Sequence, residues 1–250
     1  MRAMAKLVPV KISSMAKPKV FPRPYSRENS PIKALVFDAY GTLFDVSSVV
    51  KTLNRKFPGK GATMSAEWRA KQLQYTWLRS LSGRYEDFWK VTESALIYTC
   101  NEMKLPCDVA TRAELMNSYL HLDPFPEVIG ALKSLSGYRL AILSNGTLNM
   151  LQAIVESAGL KGVFSQVISV DEVEIYKPSP AVYELAVRKL GVEKSDIGFV
   201  SSNFWDAAGA KSFGFRTYWV NRTGAHADEL GATPDATIRS LSDLAEALKT

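Results

Sequence analysis

Asp38 closes an apolar run, residues 32–37, and the chain breaks three residues later at Gly41. Such a pattern reads as a buried strand whose following loop presents one carboxylate. Polar residues also follow later apolar runs: Ser144 and Asn145, then Ser201, Ser202, Asn203 and Asp206, with Lys177 in a loop between them. If these runs are strands of one parallel sheet, all of these residues converge with Asp38 and Thr42 on a single rim. Loops are wet in any globular chain, so polarity alone says little. The combination of types says more. One acid, one lysine and several short hydrogen-bonding side chains suit nucleophilic substitution by a carboxylate.

The elements that must position them follow from pattern and punctuation. Strands are expected at 139–143, 167–170, 197–200 and 216–220. Helices are expected at 147–158, ended by Gly159, and at 205–213, ended by Gly214. A third begins with Ser179 as N-cap and Pro180 at the first helical position, with Gly191 after its end. Strands alternating with helices imply a parallel sheet covered on both faces. Residues 46–125 break the alternation, with helical candidates at 65–81, 85–103 and 108–121. The expected fold class is therefore α/β. A Rossmann-like parallel-sheet core, 31–45 and 125–250, carries an inserted helical cap domain, 46–124. Such a cap lies over the carboxyl ends of the strands, where open α/β sheets bind ligands.

The chain has 250 residues and a formal charge of +6. That charge sits in residues 1–30, where seven basic side chains face one acidic one. The remaining 220 residues carry 24 of each sign. A neutral body gives no support for nucleic-acid binding, which needs a basic face. No apolar stretch is long enough to span a membrane. Residues 1–30 also hold Pro9, Pro18, Pro22 and Pro24 and show no helical or strand period, so a disordered leader is expected. A dispensable tail is the favoured reading of that leader. Its basic, acid-poor character also fits a transit peptide, against an otherwise cytoplasmic expectation. Cys100 and Cys107 read as ordinary thiols of a reducing compartment.

Five words in the sequence go further: FDAYGTLFDV, WRAKQLQYTWLRSL, LAILSNG, YKPSPAVYELA and FVSSNFWDAAGAKSFGF. With them, nearly all of residues 32–245 resembles the L-2-haloacid dehalogenases of the haloacid dehalogenase superfamily. In the superfamily's phosphatases the residue two places after the nucleophile is a second acid; here it is Tyr40. The resemblance implies that Asp38 attacks carbon 2 of an (S)-2-haloalkanoate, leaving an aspartyl ester that water then hydrolyses. It implies that Lys177 pairs with Asp38, Thr42 orients it, and Arg69 with Asn145 meets the leaving halide. Ser144 takes the substrate carboxylate. Asp206 activates the hydrolytic water, with Ser201 and Asn203 fixing the lysine and the acids. Leu73, Phe88 and Trp205 wall the alkyl group and halogen, and Tyr40 and Tyr183 belong to the site.

Some readings remain double. Tyr183 also suits packing of its helix against the sheet, and Asp206 suits a helix N-terminus for its dipole. Lys71, Arg79 and Arg84 lie near Arg69 in sequence, and only the WRxKQL word singles Arg69 out. No metal or cofactor is expected, because Ser201–Asn203 are uncharged where the phosphatases hold Mg²⁺ with acids. A homodimer is expected from the family. The alternatives are a Mg²⁺-dependent phosphatase of the same superfamily and a non-catalytic binding protein on this scaffold.

Overall fold

The computed structural model describes residues 31–249. The expected basic leader, residues 1–30, lies outside them. Six parallel strands form one sheet: β1 (Ala34–Phe37), β2 (Arg139–Ser144), β3 (Gln166–Ser169), β4 (Ile197–Ser201), β5 (Arg216–Val220) and β6 (Ala236–Ile238). Their spatial order is β3-β2-β1-β4-β5-β6. β1 is central and every residue of it is buried, as expected of a strand covered on both faces. The chain runs outward from β1 in one direction, then resumes at β4 on its other side. The order therefore reverses at β1 and β4, where open α/β sheets place their ligand crevice.

Four helices stand between β1 and β2: α1 (Val50–Lys56), α2 (Gly61–Leu81), α3 (Phe88–Glu102) and α4 (Val109–Ser118). Asp87 and Asp108 cap α3 and α4 by accepting from the N–H groups of Lys90 and Thr111, at 2.9 and 2.8 Å. α2 starts four residues before the expected boundary. The side chain of Asn54 accepts from the Gly61 N–H at 2.9 Å and satisfies a donor that the helix leaves free. The remaining helices are α5 (Val128–Ser134), α6 (Leu148–Ser157), α7 (Pro180–Leu190), α8 (Phe204–Phe213) and α9 (Leu244–Ala247).

The expected strands and glycine stops are found, with Gly159, Gly191 and Gly214 all at positive φ. Three details differ. Val170 belongs to a 3-10 turn rather than to β3. Ser179 holds the N-cap position of α7, but its side chain makes no capping bond. The elements α1, α5, β6 and α9 carry too little periodicity to be read from the sequence. One continuous cluster of buried apolar side chains runs from the sheet through Trp68, Phe88, Val91 and Tyr119 of the helical segment.

Candidate active site

The turn after β1 is built around one carbonyl. Ala39 O accepts from the N–H groups of Thr42, Leu43 and Phe44 at 3.2, 2.9 and 3.0 Å. Gly41, at φ +89°, lets the turn close, and its N–H donates to Phe44 O at 2.8 Å. Asp38 stands at the head of this turn, tied to β4 by its N–H donating to Val200 O at 3.0 Å.

Three side chains hold the Asp38 carboxylate. Thr42 Oγ1 and Asn203 Nδ2 donate to Oδ2 at 3.0 and 2.9 Å, and Lys177 Nζ donates to Oδ1 at 3.1 Å. Thr42 Oγ1 in turn accepts from the Ser202 N–H at 2.8 Å. Oδ2 thus carries two hydrogen bonds and Oδ1 one, which leaves Oδ1 more lone-pair capacity for attack.

Lys177 Nζ also donates to Asp206 Oδ2 at 3.0 Å, so one ammonium is shared by two carboxylates. Lys177 is 1% exposed and Asp206 fully buried. Such a group of charges is costly to desolvate and holds only while every member is paired. Tyr183 Oη donates to Asp206 Oδ1 at 2.9 Å. Its ring also packs against Phe199, Phe213 and Phe215, with centroids 5.6, 5.8 and 6.0 Å away. Asp206 likewise lies in the first turn of α8 and faces the site. Burial pushes the Asp206 carboxyl up; Lys177 opposes and Asp38 adds to this, leaving it at about 6. Burial alone lowers the Lys177 ammonium, but the charges of Asp206 and Asp38 outweigh it and leave its pKa raised.

On α2, Arg69 reaches the same rim. Its Nη2 donates to Tyr40 O at 3.3 Å and its Nη1 to Gln72 Oε1 at 2.7 Å. Among the described residues no carboxylate lies in ion-pair range of it, so its charge is held by neutral acceptors and open to an anion. Gln72 was missed from the sequence, although it follows Arg69 by three residues and so shares its helix face. It is buried and donates to Thr92 Oγ1 at 2.6 Å, anchoring α2 to α3. Two of the rival cations are engaged elsewhere. Lys71 bonds Gln74 and lies over the Tyr98 ring, and Arg79 reaches the Arg84 carbonyl.

The loop after β2 brings in Ser144 and Asn145. Asn145 Oδ1 accepts from the Lys177 N–H at 3.1 Å, which turns its amide N–H₂ away from that bond. Ser144 Oγ is fully buried and accepts from the Gly146 N–H at 3.1 Å. Tyr40 packs against this loop so closely that a methyl on Gly146 would lie 2.7 Å from its Cε2. The hydroxyls of Tyr40 and Tyr119 are buried without a partner, and Tyr119 was another residue missed from the sequence. Burial raises the Tyr40 hydroxyl far above its ordinary value, so it stays protonated.

Two sequence expectations need adjustment. Ser201 does not fix the lysine; its hydroxyl accepts from the Asn203 N–H at 3.1 Å and shapes its own loop. The apolar wall is divided. Phe88 lies against Tyr40, with centroids 5.4 Å apart. Trp205 instead meets Trp77 edge-on at 5.5 Å and borders a cavity of about 480 Å³ with Ile175, Pro178 and Leu230. Leu73 is half-buried on α2, one helical turn beyond Arg69. His121 and His226 are exposed. Among the described residues no group of three or more His, Cys, Asp or Glu side chains is placed to hold a metal ion.

Residues 32–214 match the family model described as haloacid dehalogenase-like hydrolase. The chain is 51% identical over 221 residues to an (S)-2-haloacid dehalogenase of Pseudomonas sp. (strain YL), covering 88% of this chain and 95% of that protein. It is 51% identical over 209 residues to haloacetate dehalogenase H-2 of Moraxella sp. (strain B), covering 83% and 93%. Among solved structures it is similar to L-2-haloacid dehalogenase from Xanthobacter autotrophicus with chloropropionic acid covalently bound. There the TM-score is 0.83 at 42% identity, over 87% of this chain and 98% of that one.

Proposed function

The chain belongs to the haloacid dehalogenase-like hydrolase family, and on that premise we propose the reaction its rim performs. It is a hydrolytic dehalogenase that converts (S)-2-haloalkanoic acids to (R)-2-hydroxyalkanoic acids and halide. The observation that carries this reading is the Asp38 carboxylate, held by Lys177, Thr42 and Asn203 at the carboxyl end of the central strand.

Oδ1 of Asp38 attacks carbon 2 from the side opposite the halogen. The carbon–halogen bond breaks with its electron pair on the halide, and carbon 2 inverts. Holding the nucleophile at the carbon replaces a bimolecular encounter, an advantage that reaches ~10⁵–10⁸ M in effective molarity. Arg69 and the Asn145 amide meet the departing halide, whose charge exists mainly in the transition state. Ser144 and neighbouring backbone N–H groups take the substrate carboxylate. Phe88 and Leu73 face the apolar part of the substrate, with Tyr40 alongside.

Water, deprotonated by Asp206, then adds to the Asp38 carbonyl carbon; the bond from that carbon to the ester oxygen breaks, and the hydroxy acid leaves with the original Asp38 oxygen, which takes the proton back from Asp206. Carbon 2 is untouched in this step, so the inversion persists. Tyr40 supports displacement at carbon over phosphoryl transfer, because a hydroxyl held so strongly protonated is a poor proton donor. The Lys177 ammonium already lies between the two acids, where a divalent cation would meet its charge. We read residues 46–124 as a cap over a core of 31–45 and 125–250. Leu78 and Leu81, 52% and 86% exposed on α2, support a homodimer contact there. The free thiols of Cys100 and Cys107 support a reducing, cytoplasmic setting.

Chloride release from each enantiomer of 2-chloropropanoate, with and without a chelator, tests the reading. Chloride from the (S) form alone, indifferent to chelation, is expected. Equal rates on both enantiomers, or turnover of phosphate esters that a chelator stops, would defeat it.

The pH dependence follows from Asp206. As a base it must be ionised, so ester hydrolysis rises with pH and then levels; esterified Asp38 no longer adds its charge to the upward push on Asp206, so the rise falls below about 6. Stability runs the other way. The folded value lies above the ordinary 3.8, so Asp206's contribution is fully present below that value and lost as pH rises through about 6. Decay of preformed ester measured between these values checks the assignment; a rate flat across that window would remove Asp206 as the base.

A further inference from the structure

Arg222, two residues beyond the end of β5, is used by none of the steps above. Its Nη2 donates to Thr42 O at 2.9 Å, and its Nη1 donates to Ser202 Oγ at 2.7 Å and Gly41 O at 3.4 Å. Its Nε donates to Glu127 Oε1 at 2.8 Å, and its Cζ lies 3.9 Å from the Phe125 ring centroid. The turn's own N–H groups bond Ala39 O and Phe44 O, which leaves the carbonyls of Gly41 and Thr42 to this guanidinium. One planar fork thus joins the loops that follow β1, β4 and β5, three neighbours in the sheet. A lysine cannot reproduce that geometry.

The joint bears on the nucleophile. Thr42 Oγ1 lies between the Ser202 N–H, at 2.8 Å, and Asp38 Oδ2, at 3.0 Å. The register of the turn against the β4 loop therefore sets the direction of the carboxylate. When Asp38 becomes a neutral ester, its charge-assisted bond from Lys177 weakens. The bonds of Arg222 go to backbone carbonyls, a hydroxyl and Glu127, so they persist through both half-reactions. We propose that Arg222 is a positioning residue for the dehalogenation, keeping the Asp38 carboxyl group in its reactive setting through Thr42 and Ser202. This rests on the dehalogenase reading above.

The test uses Arg222→Lys and Arg222→Ala in the full chain. Ester formation and ester decay are followed separately by mass spectrometry, at temperatures where circular dichroism shows folded protein. A kcat about 10- to 100-fold lower with KM unchanged is expected for both, as for a small misplacement of reacting groups. Added guanidinium ion is expected to restore part of the Arg222→Ala rate. Folded Arg222→Lys turning over at the wild-type kcat would overturn the proposal, and that variant carries the test if Arg222→Ala does not fold. A purely stabilising residue would lower Tm and leave kcat and both half-reactions alone. Absence of halide release from the unaltered protein would instead sink the underlying reading.

Discussion

Replacing Asp38 by asparagine is expected to lower halide release by about 10⁴-fold or more, the scale seen when a covalent nucleophile is removed. The amide keeps the shape of the carboxylate but supplies no anionic oxygen to form the bond to carbon 2. The fold should survive, because Lys177 retains Asp206 at 3.0 Å as a partner. Circular dichroism and thermal melting separate loss of chemistry from loss of structure. Single turnover of the unaltered enzyme in ¹⁸O water gives the complementary result. The label enters Asp38 in the first turnover and the product only in later ones, because water attacks the carboxyl carbon. Full activity of Asp38→Asn, or label in the first product molecule, would mean that water attacks carbon 2 directly.

Lys177→Met should damage both activity and fold. The methylene stem is roughly preserved, but Asp38 and Asp206 lose the cation that each contacts. Removing one partner from a buried charge group costs about 3–5 kcal/mol. In a chain of this size that lowers Tm by roughly 6–20 °C, at about 2–4 °C per kcal/mol. The loss has a direction in pH. Without the ammonium the Asp206 carboxyl is held still further above its ordinary range, since burial and Asp38 both raise it. A raised acid contributes stability at low pH that vanishes as pH climbs through its folded value. The variant should therefore melt higher in mild acid than near neutrality. Melting curves across that range, with halide assays beside them, check both effects. An unchanged Tm together with unchanged turnover would show that Lys177 is a bystander.

The resemblance and the local pattern were sound guides wherever the information is short in range. Apolar runs marked five of the six strands, and Gly159, Gly191 and Gly214 marked helix ends. The short helices α1, α5 and α9 and the edge strand β6 were not legible, because seven residues or fewer give too little periodicity to read. At the site, Asp38, Thr42, Lys177, Asn203, Asp206 and Tyr183 form one bonded network. Ser201 was misassigned, because a hydroxyl's partner depends on a rotamer and on the curl of its own loop. Tyr119 and Arg222 escaped notice, since each acts through residues far away in sequence; Gln72, one helical turn from Arg69, was within reach of the helical period. The Arg222 bond to Thr42 spans 180 positions.

The chain alone determined which residue types were present and where strands end in turns, because periodicity and the φ preferences of glycine and proline act over a few neighbours. It also placed Tyr40 two residues after Asp38, a position where, by the resemblance, phosphatases of the superfamily carry an acid. Only the tertiary structure decided that Arg69 of α2 reaches the rim at Tyr40 O, which oxygen of Asp38 is less encumbered, and how far burial raises Asp206. Those depend on strand order and on exclusion of water, which arise when segments more than a hundred residues apart are packed together.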